Sequence, residues 1–271
     1  LVDRRKYGGV WALTISRGCR DNCAFCCLPR FFKHTVRNRP IDSVVAEIKQ
    51  SRAEWIDLYS ENIVSDPEYA KALFKAITPL KIKWFSEATM EITKDPELLK
   101  LAAESGAQFL IMGIETSSTA SLKSAGKGFH KAEQYKENIR KLHDHGIMVD
   151  SVLIFGFDQH DKDIFEQTLE FVDKIELDIC NPGILTPLPG TRLYDRFEKE
   201  GRILTKDWSK YDFGHVVFRP QQMSPEDLED GVQWFVHHYF SLKKMFFRTF
   251  TQFRNVGVFK TLFGILPVYG G

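Results

Sequence analysis

The sequence predicts an α/β protein, a partial (β/α)6 TIM-like barrel of parallel strands with a C-terminal helical extension. Apolar, strand-like runs alternate with helical patterns six times, with a repeat of about 30–40 residues. No turn sequence typical of a β-hairpin separates the runs, which favours parallel strands over an antiparallel sheet. In such barrels the functional groups follow the C-terminal ends of the strands, so candidate site residues are sought there.

Periodicity and local signals give the bounds of each element. Short apolar runs predict strands at Val10–Ile15, Trp55–Tyr59, Lys81–Ser86, Gln108–Ile114, Ile147–Phe155 and Asp178–Leu185. Helical periodicity predicts helices at Pro40–Ala53, Pro67–Ile77, Pro96–Ser105, Lys131–His145 and Asp163–Ile175. Asp66 is the expected N-cap of the second helix, and Gly106 is expected to end the third.

After residue 190 the alternation stops, which predicts three parts: residues 1–9 as a linker, 10–190 as the barrel and 191–271 as an extension. A short helix is expected at Leu193–Glu200. The capping box that begins at Ser224 predicts a helix running to about Phe253. The extension is rich in aromatic residues. It is expected to pack across the barrel, or alternatively to form an amphipathic surface for a membrane or a greasy substrate.

Composition narrows the classes of function. The 271 residues are 43% apolar, enough for a sizeable core, and their formal net charge of +1 makes a nucleic-acid partner unlikely on composition. No apolar run reaches the roughly 18 residues of a transmembrane helix, and residues 1–9 lack the apolar stretch of a signal peptide. We therefore expect a cytoplasmic protein. Because residue 1 is Leu, we also expect the chain to begin partway into a longer protein.

Four of the five cysteines lie between positions 19 and 27, a cluster that indicates metal ligation in a reducing compartment rather than disulfides. Cys19, Cys23 and Cys26 have the spacing Cys-x3-Cys-x2-Cys. Cys27 directly follows Cys26, so it cannot easily point at the same centre and is expected to be a buried free thiol. A structural zinc site needs four ligands, whereas three thiolates on a 4Fe–4S cluster leave one iron open.

This motif, which follows Ser16-Arg-Gly18 and has an aromatic residue at Phe25, resembles the signature of radical S-adenosylmethionine (SAM) enzymes. The resemblance extends over the six strand–helix units. It implies that Cys19, Cys23 and Cys26 bind a 4Fe–4S cluster, whose open iron chelates the amino and carboxylate groups of SAM. Reductive cleavage of SAM then gives a 5′-deoxyadenosyl radical that abstracts hydrogen from the substrate, which the sequence does not identify.

The resemblance also implies where SAM binds, at residues that follow the strands. The expected SAM-binding residues are Phe25, Ser60, Glu61, Glu115, Lys127, Ile154, Phe155 and Gly156. Glu115 would accept hydrogen bonds from the ribose hydroxyls, and Ser60 and Glu61, after the second strand, would hold the methionyl amino group. Ile154, Phe155 and Gly156, at the end of the fifth strand, would stack on adenine. Each polar residue has an alternative role as an ordinary loop side chain. Asp158, His160 and Asp161 are alternatively a solvated loop that caps the next helix.

The end of the predicted barrel, with Pro187-Leu-Pro-Gly-Thr191 and Trp208, resembles cobalamin-binding radical SAM proteins. This implies cobalamin in an N-terminal domain outside the present sequence, and methyl transfer or ring formation as the final chemistry. Expected partners are a small-molecule, lipid-like or tetrapyrrole substrate and a reducing protein of the flavodoxin or ferredoxin type, with peripheral membrane contact as a further option. The alternatives are a cobalamin-independent radical SAM enzyme of the RNA methylthiolase type and a non-catalytic metal-binding interaction protein.

Overall fold

The computed structural model describes residues 9–128 and 132–257. The strands are β1 (Val10–Thr14), β2 (Ser16–Arg17), β3 (Arg37–Asn38), β4 (Trp55–Tyr59), β5 (Lys83–Ala88), β6 (Ala107–Glu115), β7 (Met148–Phe155) and β8 (Ile179–Ile184). Six of them form one sheet in the order β1-β4-β5-β6-β7-β8, and every neighbouring pair is parallel. The predicted six-stranded parallel α/β architecture is confirmed.

Helices lie between successive strands along the chain, and three more follow the last strand of the described ranges. They are α1 (Leu28–Phe32), α2 (Ile41–Ser51), α3 (Pro67–Ile77), α4 (Pro96–Glu104), α5 (Thr119–Ser124), α6 (Tyr135–Asp144), α7 (Ile164–Lys174), α8 (Arg192–Lys199), α9 (Pro225–Tyr239) and α10 (Leu242–Val256). The Asp66 side chain accepts a hydrogen bond from Tyr69 N at 3.2 Å, as its predicted N-cap role requires. No helix in the described ranges is long and apolar enough to cross a membrane.

The structure also departs from the predicted elements. The strands β2 and β3 form a small antiparallel pair that the sequence reasoning missed, because two residues give no periodicity. The predicted long C-terminal helix is two helices, α9 and α10, since Ser241 has an extended backbone and restarts the helix. Most of the predicted linker, the first residue of the predicted Lys131–His145 helix and the last part of the aromatic extension lie outside the described residues.

The two faces of the sheet have different surroundings. On the outer face Ile56, Leu58 and Trp84 are buried in the main core, and the Trp84 ring stacks on Phe74 of α3 with centroids 5.1 Å apart. On the inner face a separate apolar cluster is formed by Trp55, Phe85, Phe109 and Met148, against which Val256 of α10 packs. The helices therefore cover one face of the sheet, and α10 closes the amino-terminal end of the other.

Candidate functional site

The cysteine loop, residues 19–26, follows β1 and β2 at the C-terminal edge of the sheet. Cys19 and Cys23 are buried, Cys26 is half-buried, and all three are free thiols. Burial raises the pKa of Cys19 to about 11 and that of Cys23 to about 12, and it raises the pKa of Cys26 as well. Without a cation these thiols stay protonated at neutral pH, so metal binding here must release protons. Across residues 9–128 and 132–257, no three His, Cys, Asp or Glu side chains form a site for a single metal ion.

Cys27 is exposed, so the expectation of a buried thiol is wrong. It immediately precedes α1, and its carbonyl accepts a hydrogen bond from Phe31 N at 3.0 Å. In this short helix the buried position is taken by Pro29, two residues later. The turn into α1 thus directs Cys27 towards solvent.

Backbone hydrogen bonds from two distant segments hold the cysteine loop. Ala24 N donates to Ala125 O at 2.8 Å, and Ala24 O accepts from Leu193 N at 3.0 Å. The guanidinium of Arg192 donates to Asn22 O. The start of α8 and the end of α5 therefore fix the loop that carries the thiols.

A glycine and the end of β4 fix the first residues of the same loop. Gly18 has a φ of 101°, and a Cβ at this position would lie 2.0 Å from Thr35 O, so no side chain fits. Gly18 N donates to Glu61 Oε2 at 2.8 Å. Ser60 is fully buried, with its Oγ 2.6 Å from that of Ser16. Both predicted SAM-binding residues after β4 therefore contact the cysteine-loop region directly.

A buried ion pair lies beside the cysteine loop. Lys127 Nζ is 2.5 Å from Glu115 Oε1 and donates to Gly113 O at 3.2 Å, and both charged residues are buried. A Cβ on Gly113 would lie 2.1 Å from Glu115 Oε1, so the pair fits only over a glycine. Although burial would lower the pKa of Lys127, the charge of the Glu115 carboxylate outweighs it and the pKa is raised. The Lys127 cation in turn opposes the rise in the pKa of Cys23.

The predicted group at the end of β7 divides between the two faces of the sheet. The Phe155 ring is buried against Phe165 and Phe235, with centroids 5.2 and 5.1 Å away, so it belongs to the outer core. Ile154 is half-buried and, one residue earlier on the strand, points to the opposite face. Gly156 has a φ of 104° and ends the strand. In this group only Ile154 and the backbone are placed to contact a ligand within the barrel.

Phe25 lines a cavity of about 140 Å³ between the cysteine loop and the ends of β7 and β8. Its ring meets Phe157 edge to face, with centroids 6.2 Å apart. Arg192 and Arg196 of α8 also line this cavity, together with Asp158, so one part of its wall carries both positive and negative charge. The aromatic residue of the cysteine motif therefore faces a small cavity with both apolar and charged walls.

The loop after β7 matches only in part the solvated, helix-capping loop that the sequence left open: Asp161 is exposed, and its Oδ1 accepts a hydrogen bond from Asp163 N at 3.0 Å at the start of α7. His160 is buried, with Nε2 3.0 Å from Thr116 Oγ1, and its Nδ1 accepts from Gly156 N at 3.2 Å. Burial lowers its pKa to about 3, so it is a neutral link between β6 and β7. The Asp158 carboxylate is paired with Arg196 and Arg202 at 2.7 and 2.8 Å.

Two carboxyl groups on the inner face of the sheet were not predicted from the sequence as candidate site residues. Asp57 and Glu87 lie on the adjacent strands β4 and β5, near Tyr59. Burial raises the pKa of Asp57 to about 6 and that of Glu87 to about 7, and Glu87 Oε2 is buried without a hydrogen-bond partner among the described residues. A charged residue inside an apolar strand was the available signal, because such a residue must face a cavity or a partner.

The Lys127→Met variant is expected to lower the free energy of unfolding by about 3–5 kcal/mol, since it leaves the buried Glu115 charge without its partner. Chemical denaturation of the anaerobic protein measures this change. The matched control is Lys123→Met, which removes an exposed lysine on the neighbouring α5. Equal stability of the two variants would contradict the role given to the ion pair.

The Glu87→Gln variant tests the raised pKa of Glu87 through the pH dependence of the free energy of unfolding. The pKa of Glu87 is raised from 4.5 to about 7, so the folded state holds this proton more tightly than the unfolded chain. The wild-type free energy of unfolding therefore falls as pH rises through this window. Because the group is partly solvated, we expect the variant to gain about 1–2 kcal/mol over wild type between pH 5 and pH 8. Denaturation at both pH values, with the exposed Glu170→Gln as control, measures this, and a pH-independent difference would contradict it.

Comparison with known proteins agrees with this geometry. The model of the radical SAM superfamily matches residues 13–172, and a domain of unknown function, DUF4070, matches residues 191–261. Bacteriochlorophyllide d C-12(1)-methyltransferase of Chlorobaculum tepidum is 30% identical over 233 residues, which cover 83% of this chain and 50% of that protein. Anaerobic magnesium-protoporphyrin IX monomethyl ester cyclase of Cereibacter sphaeroides is 25% identical over 86% of this chain and 39% of its own length.

Among solved structures, the fold resembles that of TsrM from Kitasatospora setae, a radical SAM methyltransferase with cobalamin and a [4Fe–4S] cluster bound. The TM-score is 0.68 at 17% identity, over 85% of this chain and 48% of TsrM. The chain thus spans about half the length of these proteins. Because the family model covers more than half of the chain, from β1 to α7, the protein belongs to the radical SAM superfamily.

Proposed function

We propose that this chain binds a 4Fe–4S cluster through Cys19, Cys23 and Cys26 and uses it to cleave SAM for hydrogen abstraction from a substrate. The observation that carries the proposal is the position of the three thiols. They lie on a loop fixed by Gly18 and Ala24, directly beside the buried Glu115–Lys127 pair. Three soft ligands and an adjacent charged pocket suit a cluster with one open iron.

The three thiols suit a 4Fe–4S cluster in their chemistry as well as in their number. Iron must displace protons from thiols whose pKa burial has raised, and the Lys127 cation favours the thiolate form of Cys23. Cys27, which is exposed beyond the loop, is left out of the set. The fixed backbone of the loop limits the reorganisation that metal binding requires.

The same surroundings supply polar groups for SAM. Glu115 uses Oε1 for Lys127, and no group in the described ranges donates to its Oε2, which is the oxygen we assign to the ribose hydroxyls. Lys127 is assigned to a negative group of SAM, and Glu61 and Ser60 to the side that receives the methionyl amino group. Phe25, Ile154 and the backbone at Phe155 and Gly156 form the apolar surface assigned to adenine.

When bound, the cluster and SAM together supply one-electron cleavage of SAM to methionine and a 5′-deoxyadenosyl radical that takes hydrogen from the substrate. The chain must keep water and stray hydrogen donors away from that reaction. The inner apolar cluster of Trp55, Phe85, Phe109 and Met148 closes the barrel below the site. Asp57 and Glu87 lie on the same face, each two residues after an aromatic residue of this apolar cluster, along β4 and β5.

We assign the chain to the cobalamin-dependent methyltransferase group, with cobalamin held outside the present sequence, because relatives named as methyltransferases and cobalamin-binding structures match it. The proposed substrate is a tetrapyrrole or another lipid-like molecule. Residues 10–190 would form the catalytic barrel and residues 191–271 the extension, after a short linker. The side chains of Leu242, Phe246 and Phe250 are exposed along one face of α10, which supports peripheral membrane contact of a cytoplasmic enzyme.

The proposal predicts that the anaerobically reconstituted protein, with SAM and dithionite, forms 5′-deoxyadenosine. Cys23→Ala should reduce this product to the level of the reaction without protein, because it removes a thiolate that holds the cluster. The matched control, Cys27→Ala, removes an exposed thiol four residues away and should retain activity. Equal product from the two variants, or zinc as the only bound metal in the wild type, would contradict the proposal.

A further inference from the structure

The segment around the cysteine loop is strongly basic. Residues 16–39 contain six Lys or Arg residues and one Asp, a net charge of +5, whereas the whole chain carries +1. Four of the cations, Arg17, Arg20, Lys33 and Arg37, are exposed, and we call them the basic patch. Salt bridges elsewhere join Arg30 to Asp195 and Arg39 to Glu47. In the described ranges no carboxylate forms an ion pair with any member of the basic patch.

The basic patch includes an arrangement that is unfavourable for the isolated protein. Arg17 of β2 lies directly opposite Arg37 of β3 in the antiparallel register. Like charges that face each other across two strands destabilise the pair. The guanidinium of Arg37 gains only a distant contact with the Phe32 ring, 5.9 Å away. An anionic surface placed over both arginines would attract each of them and offset their mutual repulsion.

An exposed aromatic side chain lies next to the basic patch. Phe31, on α1, is 77% exposed and meets Phe32 edge to face, with centroids 4.9 Å apart. Large apolar side chains surrounded by charge are typical of the centre of a protein–protein interface. Phe31 would therefore supply an apolar anchor, while the cations around it orient the partner.

The backbone fixes the basic patch relative to the cysteine loop. Lys33 and His34 both have left-handed conformations, with φ of 52° and 55°, which are uncommon for residues other than glycine. His34 N donates to Pro29 O at 3.1 Å, and the Thr35 carbonyl packs against Gly18, next to Cys19. Strained backbone held this firmly is often found at functional sites. The cations therefore keep a defined position beside the thiols.

We propose that the basic patch and Phe31 form the docking surface for a small acidic electron-transfer protein of the flavodoxin class. This inference rests on the proposed function, because the partner delivers the electron that the cluster needs. In each encounter the donor loses one electron and the cluster gains it, with no bond made or broken. Docking at this surface brings the donor to the half-buried Cys26, two residues before α1.

The position and shape of the surface favour an acidic redox protein over RNA. The cations border the cysteine loop, and Phe31 is the only strongly exposed aromatic residue in the 16–39 segment. Single-stranded nucleic acid usually needs several aromatic side chains on which successive bases stack. A compact cationic surface with one apolar anchor matches a small acidic protein instead.

The test uses two readouts on the reconstituted protein: the Kd for an acidic flavodoxin, by titration calorimetry, and the rate of 5′-deoxyadenosine formation with reduced flavodoxin. The double variant Lys33→Glu/Arg37→Glu should weaken binding about tenfold or more at low salt and slow the flavodoxin-driven rate by a similar factor. Its rate with dithionite should match wild type. The control is Lys49→Glu, which changes an exposed lysine near the end of α2, the helix that leads into the amino-terminal end of β4.

Phe31→Ser provides a second variant that keeps every charge, and it should weaken binding without changing its salt dependence. The wild-type Kd should itself rise with salt, which needs no variant. The inference would be overturned if both variants bind flavodoxin and react with it as the wild type does. It would also be overturned if flavodoxin does not bind the wild type and the double variant loses binding to oligo(U) RNA. If the wild type forms no 5′-deoxyadenosine with dithionite as the reductant, that result would instead count against the proposed function.

Discussion

The two backbone hydrogen bonds of Ala24 hold the cysteine loop, and the rest of the site depends on that anchor. They join the loop to the end of α5 and to the start of α8, two segments far away in the sequence. Gly18 adds a third constraint, because only a residue without a side chain fits against the Thr35 carbonyl. A loop held from several sides can present three thiols in one geometry before any metal arrives. The residues after the predicted barrel boundary therefore contribute to the thiol-bearing loop.

Charge in this protein is concentrated where the thiols are, although the overall balance is close to neutral. The buried Lys127 lies beside Cys23, and the exposed cations of residues 16–39 surround the same loop. Positive charge near thiols favours their deprotonation, and on the surface it favours the approach of an anionic protein. The carboxyl groups Asp57 and Glu87 lie on the inner face of the sheet, on β4 and β5. The net charge of the chain therefore does not show that cations are concentrated at the cysteine loop and carboxyl groups on the inner face of the sheet.

The sequence predicted the strand–helix alternation well because buried parallel strands read as continuous apolar runs. It predicted the candidate cluster because ligand spacing is a local property. Features that depend on tertiary contacts were less visible. The exposure of Cys27 follows from the start of α1, and the burial of the Phe155 ring follows from packing against α7 and α9. The β2–β3 pair is too short to have a pattern, and the register of Arg17 against Arg37 appears only in the folded chain.

We propose above that Cys19, Cys23 and Cys26 hold a 4Fe–4S cluster whose remaining iron binds SAM. Mössbauer spectroscopy of the protein reconstituted with iron-57 tests this claim most directly, because it distinguishes irons with different ligands. If three cysteines hold the cluster, SAM changes the signal of one iron in four and leaves the other three irons nearly unchanged. A spectrum that SAM leaves unaltered, or a cluster whose four irons are all bound by the protein, would contradict it.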